Sequence, residues 1–246
     1  MPDTITANCP GRLGNLLFHN FVVSWFAMRY KKAAVYQSED RFTKLGIFFH
    51  KEMDPVSSDT CIKVNDSNLL TYMDNPTNET YCITMMNDTY CQLKEVSHLL
   101  YTHFRLPAIR HSIVSANPFR DRYRTNRDVF VHVRLGDVQK YCPSVTYFET
   151  ALKSISYEKG YISTDSPNHP LIKTLCTNYT LQLIVLWEIE TLQFASTCAH
   201  LVLSNGTFSW AMGALAFDAV SVQYPRLKHK WHGDIFVIPT WSEVDW

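Results

Sequence analysis

The chain has 246 residues, 46% of them hydrophobic and 19% charged, and its 23 basic and 23 acidic side chains cancel to a formal net charge of zero. That length supports one large domain or two small ones, either able to bury a core. The charge balance excludes a broad nucleic-acid surface, so phosphate recognition has to be local. No apolar run approaches the roughly 20 residues that span a bilayer, and the first residues lack the apolar segment of a signal peptide.

In chain order, residues 4–8 read as a short first strand. Gly11 and Gly14 then form a tight loop, and Leu17, Phe18, Phe21, Val22, Trp25 and Phe26 recur at helical spacing. Backbone N–H groups are free at such a helix start, and Asn15 is placed to aim its amide into the same mouth. Residues 33–36 (AAVY) suit a second strand. Residues 51–78 turn polar and read as a surface region with a short strand at Cys61–Val64. Residues 95–104 have helical spacing. Six arginines, at 105, 110, 120, 122, 124 and 127, follow. They read as a solvated linker in preference to a donor-binding patch.

The stretch 128–138, DVFVHVRLGDV, is the centre of the chain. Val129, Phe130, Val131 and Val133 form a strand buried on both faces. His132 and Arg134 share one face at its end, and Gly136 allows a sharp turn. Asp137 lies within reach of the guanidinium. An Arg at the carboxyl end of a buried parallel strand stands where open α/β sheets bind ligands, and its fork suits phosphate oxygens. An Arg–Asp pair that merely closes a loop is the alternative.

Beyond it, residues 147–155 read as a helix and 160–163 as a strand. The turn 164–167 (TDSP) should cap a helix through 171–176. Residues 181–186 suit a strand, 190–198 a helix and 200–203 another strand. SNGTFSWAMGALAFDA then starts a helix with the hydroxyls of Ser204, Thr207 and Ser209, an anion site by geometry and dipole or an ordinary capped start. Residues 219–222 add a strand. Strands alternating with short helices imply a parallel, doubly wound sheet.

Seven cysteines (9, 61, 82, 91, 142, 176 and 198) are an odd set without a CxxC pair, which argues against zinc. Cys61, Cys82 and Cys91 could pair in an oxidising lumen. The N-x-S/T sites at Asn65, Asn78, Asn87 and Asn178 favour a secretory compartment, whereas the missing leader favours the cytosol. The sequence leaves both open.

Three separated stretches, Gly11–Asn15 (GRLGN), His132–Asp137 (HVRLGD) and Ser204–Trp210 (SNGTFSW), resemble in order the signature motifs of the α-1,2-fucosyltransferase family, within the inverting fucosyltransferase superfamily. Residues 161–167 (YISTDSP) are similar to that family's strand and Ser-Asp turn. The resemblance implies an α/β, GT-B-like fold of two Rossmann-like halves with parallel sheets and a cleft between them. Residues 1–125 would take a glycan acceptor and 126–246 the nucleotide sugar, GDP-fucose, without a metal or other cofactor. It implies that Arg134 neutralises the departing diphosphate and Asp137 orients it. Gly14, His132, Asp165, Ser204, Asn205, Thr207, Phe208 and Ser209 would line the donor, and Asn15 would reach the transferred sugar. The base is open among Glu188, His19 and Asp165. Leu16, Leu135 and Ala211 stand where the family usually has Gln, Arg and Trp. They leave room for another donor such as UDP-xylose or UDP-galactose, or for a non-catalytic nucleotide or glycan binder.

Overall fold

The computed structural model describes residues 4–8, 11–74, 81–226 and 233–245. Cys9 and the sequon at Asn78 lie outside them. Asn87 and Asn178 are exposed and Asn65 is half-buried.

The first part of the chain holds β1 (Thr4–Thr6), α1 (Leu13–Tyr30), β2 (Ala33–Val35), α2 (Glu39–Lys44), β3 (Cys61–Val64), α3 (Leu69–Met73), β4 (Cys82–Met85), α4 (Lys94–Phe104) and α5 (Pro107–Ala116). β1 pairs with β2 and β3 with β4, both in parallel, and Cys61 and Cys82 are register partners. β4 also packs beside β1. The second part holds β5 (Val129–Val133), α6 (Val145–Lys153), β6 (Gly160–Thr164), α7 (Pro170–Tyr179), β7 (Leu181–Leu183), α8 (Glu188–Ala195), β8 (His200–Val202), α9 (Thr207–Leu215), β9 (Ser221–Pro225) and β10 (Ser242–Val244).

These last six strands form one sheet in the order β10-β9-β8-β5-β6-β7, every pair parallel. Successive crossovers run outward in one direction from β5 and in the other from β8. The strand order therefore reverses between β5 and β8, the place where doubly wound sheets open a crevice beyond their carboxyl ends. All five residues of β5 are buried. Val129, Val131 and Val133 point to a core shared with α6 and α7. Phe130 points the other way, into a core that runs through α9, α1 and α4 to Ile5 of β1. His132 and Arg134 follow Phe130 by parity, so the sheet aims them at the first part of the chain.

Helix α1 is buried on nearly all sides because it lies between β1, β2, α4 and α9, which is why its sequence is apolar all round. Phe18 meets Trp210 of α9 edge-to-face at 4.7 Å. Gly14 makes the close approach possible. A Cβ placed there would lie 2.5 Å from the Phe208 nitrogen and 2.6 Å from the Thr207 carbonyl carbon.

The structure corrects several expectations. The arginine-rich stretch is no solvated linker. It contains α5, and Arg122 lies over the Phe194 ring at 4.4 Å while bonding Asp128 at 2.8 Å. The cap of α7 is His169, which accepts from the Leu171 N–H at 3.2 Å. The 164–167 turn is thereby free to face β5 instead. β7 ends at Leu183, and Val185 and Trp187, 84% and 82% exposed, belong to the loop before α8. α2, α3, β4 and β10 are additional; β10 has only three residues among acidic neighbours and carries no strand pattern of its own.

Candidate active site

Beyond the carboxyl end of β5 the backbone turns through Gly136, whose φ is +28°. A Cβ on this residue would meet the Asp165 carboxylate at 2.6 Å and the Arg134 Nη1 at 3.2 Å, so the glycine makes room for an ion pair. Arg134 donates through Nη2 to Asp137 and pairs through Nη1 with Asp165. Asp165, at the end of β6, also accepts from the Leu135 N–H at 3.0 Å. The guanidinium is thus held from two strand ends and is largely buried, its side chain 16% exposed. Burial and the charge of Arg12 lower its affinity for the proton, Asp137 opposing them. It remains cationic, since guanidinium groups keep their proton in proteins.

Arg12, at the N-terminus of α1, reaches the same two carboxylates from across the cleft, at 3.7 Å to Asp137 and 3.9 Å to Asp165. Two guanidinium groups and two carboxylates therefore alternate over the cleft. A cavity of about 200 Å³ on one side is lined by Arg12, His132, Arg134, Asp165, Glu188 and Phe208, with others. A second, of about 170 Å³, takes in Gly14, Asn15, Asp137, Asn205 and Thr207 and shares Arg12, His132, Arg134 and Phe208 with the first. The two are halves of one cleft with Arg134 in its dividing wall.

Three expected ligand-lining hydroxyls are used otherwise. Ser204 and Ser209 are fully buried and line neither cavity. Ser204 Oγ accepts from the Arg134 N–H at 3.2 Å, and Ser209 Oγ bonds His132 Nδ1 at 2.6 Å. Both fix the β5 end against α9. Thr207 lines the second cavity but donates its hydroxyl to Asn15 Oδ1 at 2.6 Å. Asn15 Oδ1 also accepts from Gln92 Nε2 at 3.2 Å. Asn15 is not a cap, for α1 has no side-chain cap and Asn15 is the third residue of the helix, within its first turn. Its carbonyl oxygen ties α1 to α9 and to the segment before α4. Asn15→Ala strands two donors and is expected to lower stability by about 1–3 kcal/mol. Asn15→Asp keeps an acceptor there and should recover most of that in a urea melt; equal melts for wild type and alanine variant would show that the tie contributes nothing.

His132 packs its ring against Phe208 at 5.5 Å. Burial, and to a lesser extent Arg134, push it down to about 3, so it is neutral at physiological pH. Burial also takes His19, within α1, down to about 4. The unfolded chain binds these protons near pH 6.5 and the folded chain does not, so stability is full above about 6.5 and falls with acidification. Each histidine should cost about 2 kcal/mol between pH 6.5 and 5. Unfolding titrations at the two pH values check this. His132→Gln should flatten the loss by about that amount, and an unchanged slope would contradict a neutral His132.

The three candidate bases separate. His19 is buried and neither ring nitrogen has a hydrogen-bond partner among the described residues, Asp165 is held by Arg134, and Glu188 lines the first cavity while paired with Arg41. Sequence reasoning passed over Arg12, although it lies inside the GRLGN motif, and over Ser163, Thr164, Leu186 and Thr191, which join the first cavity. Their signal was too weak to find, since ordinary residue types become cavity walls only through the sheet order.

Parallel sheets, a strand-order reversal and a cleft faced by both parts of the chain define an α/β, GT-B-like fold. Among the solved structures it resembles are fucosyltransferases. NodZ fucosyltransferase from Bradyrhizobium superposes with a TM-score of 0.56 and 11% identity, over 94% of this chain and 97% of that one. NodZ α-1,6-fucosyltransferase soaked with GDP-fucose gives 0.51 at 11% identity, over 87% and 93%, and the same enzyme co-crystallised with GDP gives 0.54 at 11%, over 90% and 94%. At such identity the likeness establishes the fold alone. No protein-family model matches the sequence, and no curated protein does.

Proposed function

We propose that this protein is an inverting glycosyltransferase that moves fucose from GDP-fucose to a hydroxyl of a glycan acceptor, with residues 126–246 holding the donor and 1–125 facing the acceptor. The observation that carries the proposal is the Arg134 guanidinium, fixed by Asp137 and Asp165 in the wall of the cleft at the strand-order reversal. As the bond from the sugar to the β-phosphate breaks, negative charge grows on the diphosphate, and a preorganised cation beside it stabilises that charge more than the ground state. Arg12, already close to the same carboxylates, would close on the phosphates from the other side. His132, neutral and locked by Ser209, would serve as a wall that adds no charge of its own. The acceptor would enter opposite the diphosphate, as inversion requires. Support for fucose comes from the three motifs and from neighbours soaked with GDP-fucose or co-crystallised with GDP. The α-1,2 linkage rests on the motifs alone, because the named neighbour forms α-1,6 bonds.

Among the described residues no cluster of three His, Cys, Asp or Glu side chains is arranged to hold a metal ion, and the reaction is proposed to run without one. Hydrolysis of a panel of GDP- and UDP-sugars without acceptor, with and without excess chelator, tests the reading. GDP-fucose should be cleaved in both conditions. Cleavage of a UDP-sugar alone would replace the donor, loss with chelator restored by manganese would reveal a metal site, and binding without any cleavage would favour the non-catalytic binder.

A further inference from the structure

Four arginines that the proposed reaction leaves unused gather at a second place. Arg105, Arg110, Arg120 and Arg124 line a surface cavity of about 510 Å³ together with Pro107, His111, Tyr123 and a single carboxylate, Asp218. It is larger than either half of the cleft and shares no lining residue with it. Asp218 follows the carboxyl end of α9, whereas the cleft lies at the other end of that helix, roughly 13 Å away for nine residues.

The charges in this cavity do not balance. Asp218 accepts from Arg110 Nη2 at 2.9 Å and from Arg124 Nε at 2.7 Å, so its carboxylate is shared by two guanidinium groups. Among the described residues the other two have only neutral acceptors. Arg105 donates to the Tyr101 and Ala214 carbonyls at 3.2 and 3.1 Å, and Arg120 to the Ser115 carbonyl at 3.1 Å. Four guanidinium groups against one carboxylate leave an excess of three positive charges, in a chain whose formal net charge is zero. Helix α5 starts at Pro107 on the cavity wall with no acidic residue in its first turn and no side-chain cap, which adds the positive end of its dipole. Burial pushes Arg105 down to about 10, with Tyr101 opposing and Arg110 adding to it.

We propose that this cavity is an anion-binding site, separate from the cleft, for a small molecule or sugar bearing more than one phosphate or sulfate group. Guanidinium forks match such oxyanions bidentately, and the volume suits a ligand of that size. A purely structural role explains Arg105, which ends α9, and Arg110, which anchors Asp218. Arg124 shares that Asp218 contact and Arg120 meets only the Ser115 carbonyl, so the structural contacts use one carboxylate for four guanidinium groups at one opening and leave the charge unbalanced.

Calorimetric titration of the full chain at 0.15 M salt, with pyrophosphate and a disulfated disaccharide as separate probes and the unsulfated disaccharide as control, tests this. At least one charged probe should still bind Arg134→Ala, which removes only what pyrophosphate gains from the cleft, and which one binds tells a phosphate source from a sulfate source. The pair Arg120→Gln and Arg124→Gln in one chain should weaken it at least tenfold, and Arg120→Gln alone by a smaller factor, with the probe-free melting point of that single variant unchanged. Equal binding by the double variant, loss of binding in Arg134→Ala, or no binding of either probe would overturn the site. Because the discriminating variants lie in different cavities, failure here is distinct from failure of the transferase reading.

Discussion

Arg134→Lys is expected to lower kcat for transfer by roughly 10²–10³-fold, the range seen when one donor to a developing anion is lost. Lysine keeps the charge but has no planar fork, so it cannot contact Asp137 and Asp165 together while presenting donors to a diphosphate. The melting point should change little, because Asp165 keeps its bond from the Leu135 N–H and Asp137 is exposed. GDP binding measured in parallel should weaken as well. Arg12→Ala should have a milder effect, mostly in KM, since Arg12 is exposed and reaches the same carboxylates at longer range. Near-wild-type turnover in Arg134→Lys would remove Arg134 from the mechanism.

Gly14→Ala should destabilise the protein, reversing what helix propensity alone expects. Glycine inside a helix normally costs up to about 1 kcal/mol relative to alanine. Here the new methyl would enter the space of the Thr207–Phe208 peptide, which is backbone and cannot swing aside. α1 and α9 would have to part, at about 1–3 kcal/mol for an overpacked contact, and at roughly 2–4 °C of melting point per kcal/mol for a domain of this size. Parting them also shifts Arg12 and Asn15 relative to Arg134, so transfer should fall further than stability does. Gly14→Val should be worse. An unchanged or raised melting point in Gly14→Ala would mean that the two helices do not meet there.

Legibility from sequence was uneven, and the reasons differ by element. β5 was readable because a strand buried on both faces has to be apolar, and the polar pair at its end therefore stands out. α4 and α6 were readable from helical spacing that matches a single buried face, whereas α9 is buried on nearly all sides. α1 was read correctly as a helix, but its placement between two layers was not, since an all-round apolar pattern does not say what covers each side. The arginine-rich segment was misread because charge density looks alike on a solvated linker and on a packed segment whose guanidinium groups are held by carboxylates, Arg122 by nearby Asp128 and Arg110 of α5 by distant Asp218.

For the site, local sequence determined that Arg134 follows a buried strand, that Asp137 lies within its reach, and that Gly136 permits the turn, since neighbouring residues settle these contacts whatever the rest of the fold does. Only the tertiary structure decided that Asp165, 31 positions after Arg134, completes the ion pair, because β6 lies beside β5 in parallel register. It likewise decided that Arg12 crosses to the same carboxylates, that Thr207 bonds to Asn15 from 192 residues away, and that Ser204 and Ser209 turn inward. Hydroxyls and guanidinium groups can bond in many directions, and which partner each one takes is fixed by packing at the strand-order reversal and not by the residues on either side.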